Sequence, residues 1–180
     1  MSSSPQAPET VVRYDPKTIA LHWLTAALVI GLWVLGQCID FFPRGTPRVS
    51  VRSLHIVAGA ILAIVLAYRI YWRATAGAHL PLEGSALMQR IVRLMHWALY
   101  AAVLAAVVLG LANTWVRGDN IFNLFSIPAF DPGNKELRHT MGELHELAAN
   151  AVLILAGLHA AAALVHHHLL KDNTLRRMLR

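Results

Sequence analysis

Cysteine is almost missing from this sequence. Cys38 stands alone among 180 residues, which excludes an intrachain disulfide and any thiolate metal cluster held by one chain. Beside Gln37, near a helix end, it reads as a packing residue. Charge is scarce as well: 14% of residues are Asp, Glu, Lys or Arg, against about 25% in soluble domains. No glycine-rich phosphate loop, internal repeat or low-complexity tract is present, and a chain of this length leaves no room for a separate catalytic module. What fills the sequence instead is apolar: 56% of residues are hydrophobic and the mean hydropathy is +0.48. A soluble globule of this size cannot hide so much apolar surface, so the excess belongs in lipid. The net charge of +6 would suggest nucleic-acid binding in a soluble protein. Here the basic residues lie between apolar runs, so membrane topology explains them and no nucleic-acid partner is expected.

Four stretches approach the ~20 apolar residues that cross a bilayer as helix: Ile19 to Ile39, Leu54 to Trp72, Leu94 to Trp115 and Leu144 to Leu170. The expected fold is an all-α integral membrane four-helix bundle, one domain over 13–180, with helices at about 18–39, 53–73, 91–115 and 143–170. Residues 1–12, rich in Ser and Pro, are expected to be a disordered tail. The polar stretch from Met1 to Lys17 and the long first apolar run do not match a cleavable signal peptide. Ten of the sixteen basic residues fall on the side shared by the two termini, among them Arg13, Lys17, Arg69, Arg73, Arg90 and Arg93. The positive-inside rule then puts both termini in the cytoplasm. The longest connection, Arg117 to Gly142, carries Ile121, Phe122, Leu124, Phe125, Ile127 and Phe130. A loop this apolar is expected to lie on the membrane interface or to cap the bundle, plain packing being the alternative.

The informative exceptions to the apolar runs are histidines. Of ten in the chain, His22, His55, His96, His145 and His159 lie in the spans or within a turn of their ends. An ionisable group there is costly and marks function by default, although a single one would more simply make an interhelical hydrogen bond. His145 and His159 share the fourth helix, fourteen residues apart. At 100° per residue they point within about 40° of the same direction, displaced by roughly 21 Å. One helix can therefore hold two flat cofactors, one per leaflet. His55, in the first turn of the second helix, is level with His145; His22, just inside the first, is level with His159. Small residues flank them (Ala148, Ala149 and Ala156; Ala58, Gly59 and Ala63; Thr25 and Ala26). On their own these would signal close helix packing; beside paired imidazoles they leave room for a porphyrin. Zinc or copper fits less well, because an imidazole–metal bond is about 2 Å and the two histidines of one helix cannot share an ion. Two imidazoles suit the two axial faces of haem iron and leave no open position, so one-electron transfer is the expected chemistry. His96 also lies at the inner depth and competes with His22 as partner for His159. Physics alone does not choose between them.

The residues that carry these positions, Leu21-His22-Trp23, Phe41-Phe42-Pro43-Arg44, Leu54-His55-Ile56, Leu144-His145-Glu146, Gly157-Leu158-His159-Ala160 and Lys171-Asp172-Asn173-Thr174-Leu175, resemble the bacterial cytochrome b561 family. The likeness runs from Tyr14 over nearly the whole chain. It extends to the di-haem subunits that anchor formate dehydrogenases and nickel–iron hydrogenases, which use the same spacing. The resemblance implies two b haems as cofactors, the outer ligated by His55 and His145 and the inner by His22 and His159. It leaves His96 as a non-ligand in the vicinity of a quinone. It also implies an inner-membrane, quinone-linked oxidoreductase whose best-known activity is superoxide oxidation with ubiquinone as acceptor. The loop between the third and fourth helices is distinctive to this sequence.

On that reading the leading expectation is a free-standing superoxide:ubiquinone oxidoreductase, the short tails lacking a docking extension. The alternative is an anchor passing electrons from a dehydrogenase or soluble cytochrome to quinone; a homodimer is compatible with either. Arg44, Arg48, Arg52, Lys135 and Arg138 are available to attract an anion from outside, or to meet lipid headgroups. Arg52, one turn before His55, and Arg13 and Lys17, near His22, are candidates for haem-propionate contacts. Glu146 is a candidate to orient an imidazole or carry protons, a surface carboxylate being the commoner case, and Glu143 lies on the other side of His145. The run His166-His167-His168 falls at the inner interface, where a quinone-adjacent role competes with metal binding and simple snorkelling.

Overall fold

The structure is a computed structural model that describes residues 12–82 and 84–179; the expected disordered tail, Val12 apart, lies outside them. Four helices, each long and apolar enough to cross a membrane, make up the fold: α1 (Pro16–Cys38), α2 (Thr46–Thr75), α3 (Ala86–Arg117) and α4 (Lys135–His168). A two-stranded hairpin, β1 (Asn120–Ile121) with β2 (Phe125–Ser126), sits between α3 and α4.

Local chemistry sets the helix starts. Asp15 caps α1 by accepting from the Thr18 amide at 2.8 Å, with Pro16 in the first turn where its missing N–H costs nothing. Ser85 caps α3 and Asn134 caps α4 in the same way. These caps explain why α1, α3 and α4 begin upstream of the apolar runs; α2 starts after Gly45 without a side-chain cap, with Pro47 in its first turn. Hydropathy marks where lipid begins, whereas caps mark where the helix begins.

α1 packs on α2 and α3 on α4 as antiparallel hairpins, closed into a bundle by α2–α3 and α1–α4 contacts. The buried core is Leu32, Leu62, Leu66, Val103 and Val152. Val152 lies seven residues, or two turns, from both His145 and His159, so the apolar layer sits midway between the two histidine levels. Large apolar side chains such as Ile64, Trp97 and Ile154 are exposed on the bundle's outside, the surface that lipid would cover.

The apolar loop caps the end of the bundle nearest His55. Ser53, 0% exposed, accepts from the Phe122 amide at 2.8 Å and faces the Val49 and Asn120 carbonyls at 2.7 and 3.2 Å. Phe122 and Asn123 turn the three-residue hairpin loop with φ of 53° and 59°, and the Leu124 amide donates back to the Ile121 carbonyl at 2.9 Å. Gly118 closes α3 at φ 66°, and a Cβ there would stand 2.7 Å from that of Ala129. At the other end, the chain after α4 folds back beside α1, with Tyr14 donating to the Arg177 carbonyl and Trp23 to that of Met178.

Candidate functional site: two histidine levels

The histidine faces of the four helices meet in the bundle interior at two levels. At the loop-capped level, the rings of His55 (α2) and His145 (α4) have centroids 6.0 Å apart. At the level near the termini, those of His22 (α1) and His159 (α4) are 6.3 Å apart. Two imidazole–metal bonds of about 2 Å, each extended by about 1.1 Å from ring nitrogen to ring centre, would separate the centroids by about 6.2 Å. Both pairs therefore have the spacing of imidazoles facing each other across one iron. His96 (α3) lies closer to His159, at 5.3 Å and edge-on, too near to admit a metal between the ring centres by the same sum. Its own side chain is exposed.

The loop-capped level, the outer one on the topology expected from the sequence, has room for a flat group. A cavity of about 360 Å³ opens there, lined by His55, His145, Gly36, Gly59, Gly110 and Val152 among others. A Cβ on Gly59 would meet nothing within 4 Å, whereas one on Gly110 would stand 2.9 Å from the His145 ring and one on Gly36 3.4 Å from that of His55. Gly36 and Gly110 thus let α1 and α3 approach the Cε1 edges of the imidazoles. His145 Nδ1 lies 3.0 Å from the Ala106 carbonyl. A carbonyl only accepts, so Nδ1 carries the proton and Nε2 is left as a ligand. His55 Nδ1 and Asn113 Oδ1 are buried without a closed hydrogen bond, polar atoms that a bound group or water would satisfy. The donor set and the free volume both fit a haem.

The level near the termini, the inner one on that expected topology, differs in charge. Arg69, on α2, reaches His22 Nδ1 at 3.0 Å and lies 5.4 Å from the centre of the Tyr100 ring. A guanidinium only donates, so His22 Nδ1 accepts and its ring proton sits on Nε2. Were Nε2 to hold iron, Nδ1 would carry the proton, and Arg69 would remain beside the ring as a charge rather than as a hydrogen-bond donor to it. The sequence reading counted Arg69 only toward topology. The signal that would have found it is a repeat of the fourteen-residue step: His22 to Gly36, His55 to Arg69, His96 to Gly110, and His145 to His159. Each helix thus supplies one residue to each level.

The remaining candidates are placed as follows. Arg52 and Arg117 share Asp119, at 3.3 and 3.5 Å; Asp119 went unremarked in the sequence. Together with Arg44 and Arg48 they line an outer cavity of about 300 Å³. Lys17 stacks over the Trp72 ring at 4.1 Å, and Arg13 is exposed. Arg138 donates to the Pro132 carbonyl, and Lys135 begins α4. Glu146 is exposed at the rim of the outer cavity, while Glu143 pairs with His139. In the triple run, His166 contacts Asp172 at 2.5 Å and the rings of His167 and His168 touch each other. Among the described residues no group of three or more His, Cys, Asp or Glu is placed to hold a metal ion.

The pattern that describes prokaryotic cytochrome b561 matches residues 13–180. The chain belongs to that family. This b561-family chain is 32% identical over 171 residues to a Yersinia pestis protein named probable superoxide oxidase CybB, covering 93% of this chain and 96% of that one. It is equally similar, at 32% over 93% of its length and 97% of the relative's, to cytochrome b561 homolog 1 of Escherichia coli. A shorter likeness, 30% over 99 residues, covers 47% of this chain and 40% of the probable Ni/Fe-hydrogenase B-type cytochrome subunit of Cupriavidus necator. Members of the family bind b-type haem, and this one is a bacterial membrane cytochrome.

Proposed function

We propose that the chain is a di-haem b cytochrome of the inner membrane that takes single electrons from superoxide at its outer face and delivers them to ubiquinone, with both termini in the cytoplasm. The observation that carries the reading is the pair of imidazole couples, 6.0 and 6.3 Å between ring centres, set roughly 21 Å apart along α4. His55 and His145 would hold the outer haem, and His22 and His159 the inner. Iron so held supplies reversible one-electron chemistry, and an imidazole on each face leaves it closed to oxygen.

The chain's own residues fit the two ends of that reaction. At the outer end, Arg44, Arg48, Arg52 and Arg117 line one cavity with Asp119, and Asp40 pairs with Arg48 at 3.2 Å; four cations against two carboxylates make a net positive mouth suited to a small anion. At the inner level, His96 is exposed beside His159, so a quinone could hydrogen-bond to it next to a ligand. The reaction balances when two superoxide ions each give up one electron and leave as dioxygen, and one quinone gains two electrons and two protons. The relative named as a probable superoxide oxidase, similar over 93% of this chain, supports this donor. The likeness to a hydrogenase B-type cytochrome subunit favours the second reading, an anchor fed by a dehydrogenase.

Haem quantified per chain tests the site. Alanine at His22, His55, His145 or His159 should remove one haem each, and His96→Ala should keep both while slowing quinol formation. A wild-type chain with one haem, or a full complement in His145→Ala, refutes the assignment. Superoxide mixed rapidly with the purified chain separates the donors: reduction within the mixing time supports the oxidase, and none supports the anchor.

A further inference from the structure

The fourteen-residue step makes the two levels directly comparable. At the outer level the helices that do not supply the facing imidazoles contribute glycines, Gly36 and Gly110, both against a histidine ring. At the inner level the corresponding positions are Arg69 and His96. The charges also differ. The outer cavity is lined by Arg52 and Arg117 together with Asp119, Glu146 and Asp40, so its cations meet carboxylates close by. Among the described residues Arg69 has no ion-pair partner. Its contacts are His22 and the Tyr100 ring. The acids nearest in the chain fold at that end are engaged elsewhere: Asp15 by Thr18, Trp72 and Ala78, and Asp172 by His166 and Thr174.

We propose that Arg69 is the positioning residue that sets the inner site's reduction potential above the outer one's, a fixed positive charge held beside the inner imidazoles with no carboxylate to cancel it. The inference rests on the di-haem reading. A cation in a low-dielectric interior stabilises whichever state of its neighbour carries the extra electron. A hydrogen bond at the outer site acts in the same sense. At the outer site the Ala106 carbonyl accepts from His145 Nδ1 and leaves the imidazole electron-rich, a bond that favours oxidised iron. Electron arrival at the outer level and departure from the inner one is then downhill.

The test is an optical redox titration of the purified full-length chain, wild type against R69Q and R69K, following the two haem components separately. In R69Q the inner component should fall by at least tenfold in its reduction equilibrium, about 59 mV for one electron. R69K should stay near wild type, and the outer component should not move in either variant. The order of the two potentials is an independent check that needs no change at Arg69. His55→Ala, lacking the outer haem, should retain the higher-potential component, and His22→Ala the lower. The inference is overturned if R69Q leaves both potentials in place, if R69K shifts as far as R69Q, or if the wild-type order is reversed. Two haems in the wild type with any of those results would sink the inference alone; a single haem would sink the di-haem reading with it.

Discussion

An alanine at Gly110 puts the outer imidazole under a defined strain. Its Cβ would stand 2.9 Å from Cε1 of His145 and 3.2 Å from Nδ1, where carbon contacts settle at about 3.5–4.0 Å. The ring must retreat by roughly 0.6 Å or more to restore contact distance. Retreat weakens the 3.0 Å bond to the Ala106 carbonyl, at about 1 kcal/mol. Tilting the side chain from its rotamer adds about 0.5–1.5 kcal/mol. The sum, about 1.5–2.5 kcal/mol, corresponds to roughly a 10- to 60-fold weaker hold on the outer haem. Transfer of haem to excess apomyoglobin, read at the Soret band, should show one of the two haems leaving faster in Gly110→Ala while the other keeps its wild-type rate. Gly157, exposed and with nothing within 4 Å of its added Cβ, serves as the control, and Gly157→Ala should behave as wild type. Equal haem transfer from the two variants would refute the claim that α3 presses on the Cε1 edge of His145.

Other sites carry expectations of their own. Ser53→Ala strips the Phe122 amide of its acceptor, a loss of about 1–3 kcal/mol for a buried donor left unpaired; amide exchange at Phe122 should accelerate, and unchanged exchange would mean that the loop is held otherwise. Arg52→Gln should flatten the dependence of the superoxide rate on ionic strength, since it removes one of four cations at the outer mouth; an unaltered slope removes the steering role. Partial burial raises the Asp15 carboxyl, but donors from Thr18, Ala78 and Trp72 outweigh it and hold the group at about 2 rather than 3.8. A lowered folded value contributes stability above the unfolded value that is lost as pH falls through about 2. After solvent screening this amounts to at most about 1 kcal/mol. Between pH 4 and 2, Asp15→Asn should therefore lose less thermal stability than wild type, and parallel acid limbs would contradict it.

How much of this was legible beforehand varies from residue to residue. The four spans and the same-face relation of His145 and His159 need only the helical period, which acts within one segment. The cytochrome b561 likeness was legible in the histidine-flanking motifs. Arg69 was missed because a basic residue near a helix end has an ordinary explanation in topology, and only its place beside His22 gives it another. Gly36 and Gly110 were missed for a related reason: a glycine in a membrane helix means close approach, but the sequence does not say to what. Asp119 lies in a loop without periodicity, and its two arginine partners come from different helices.

The sequence by itself determined that the chain is a membrane bundle with imidazoles at two depths, because hydropathy and helical pitch are properties of a segment read alone. Tertiary structure decided what surrounds each imidazole. It set His96 edge-on to His159, glycines against the outer rings and a guanidinium against the inner one. Those relations depend on how four helices are rotated against one another, and a one-dimensional pattern leaves that rotation free.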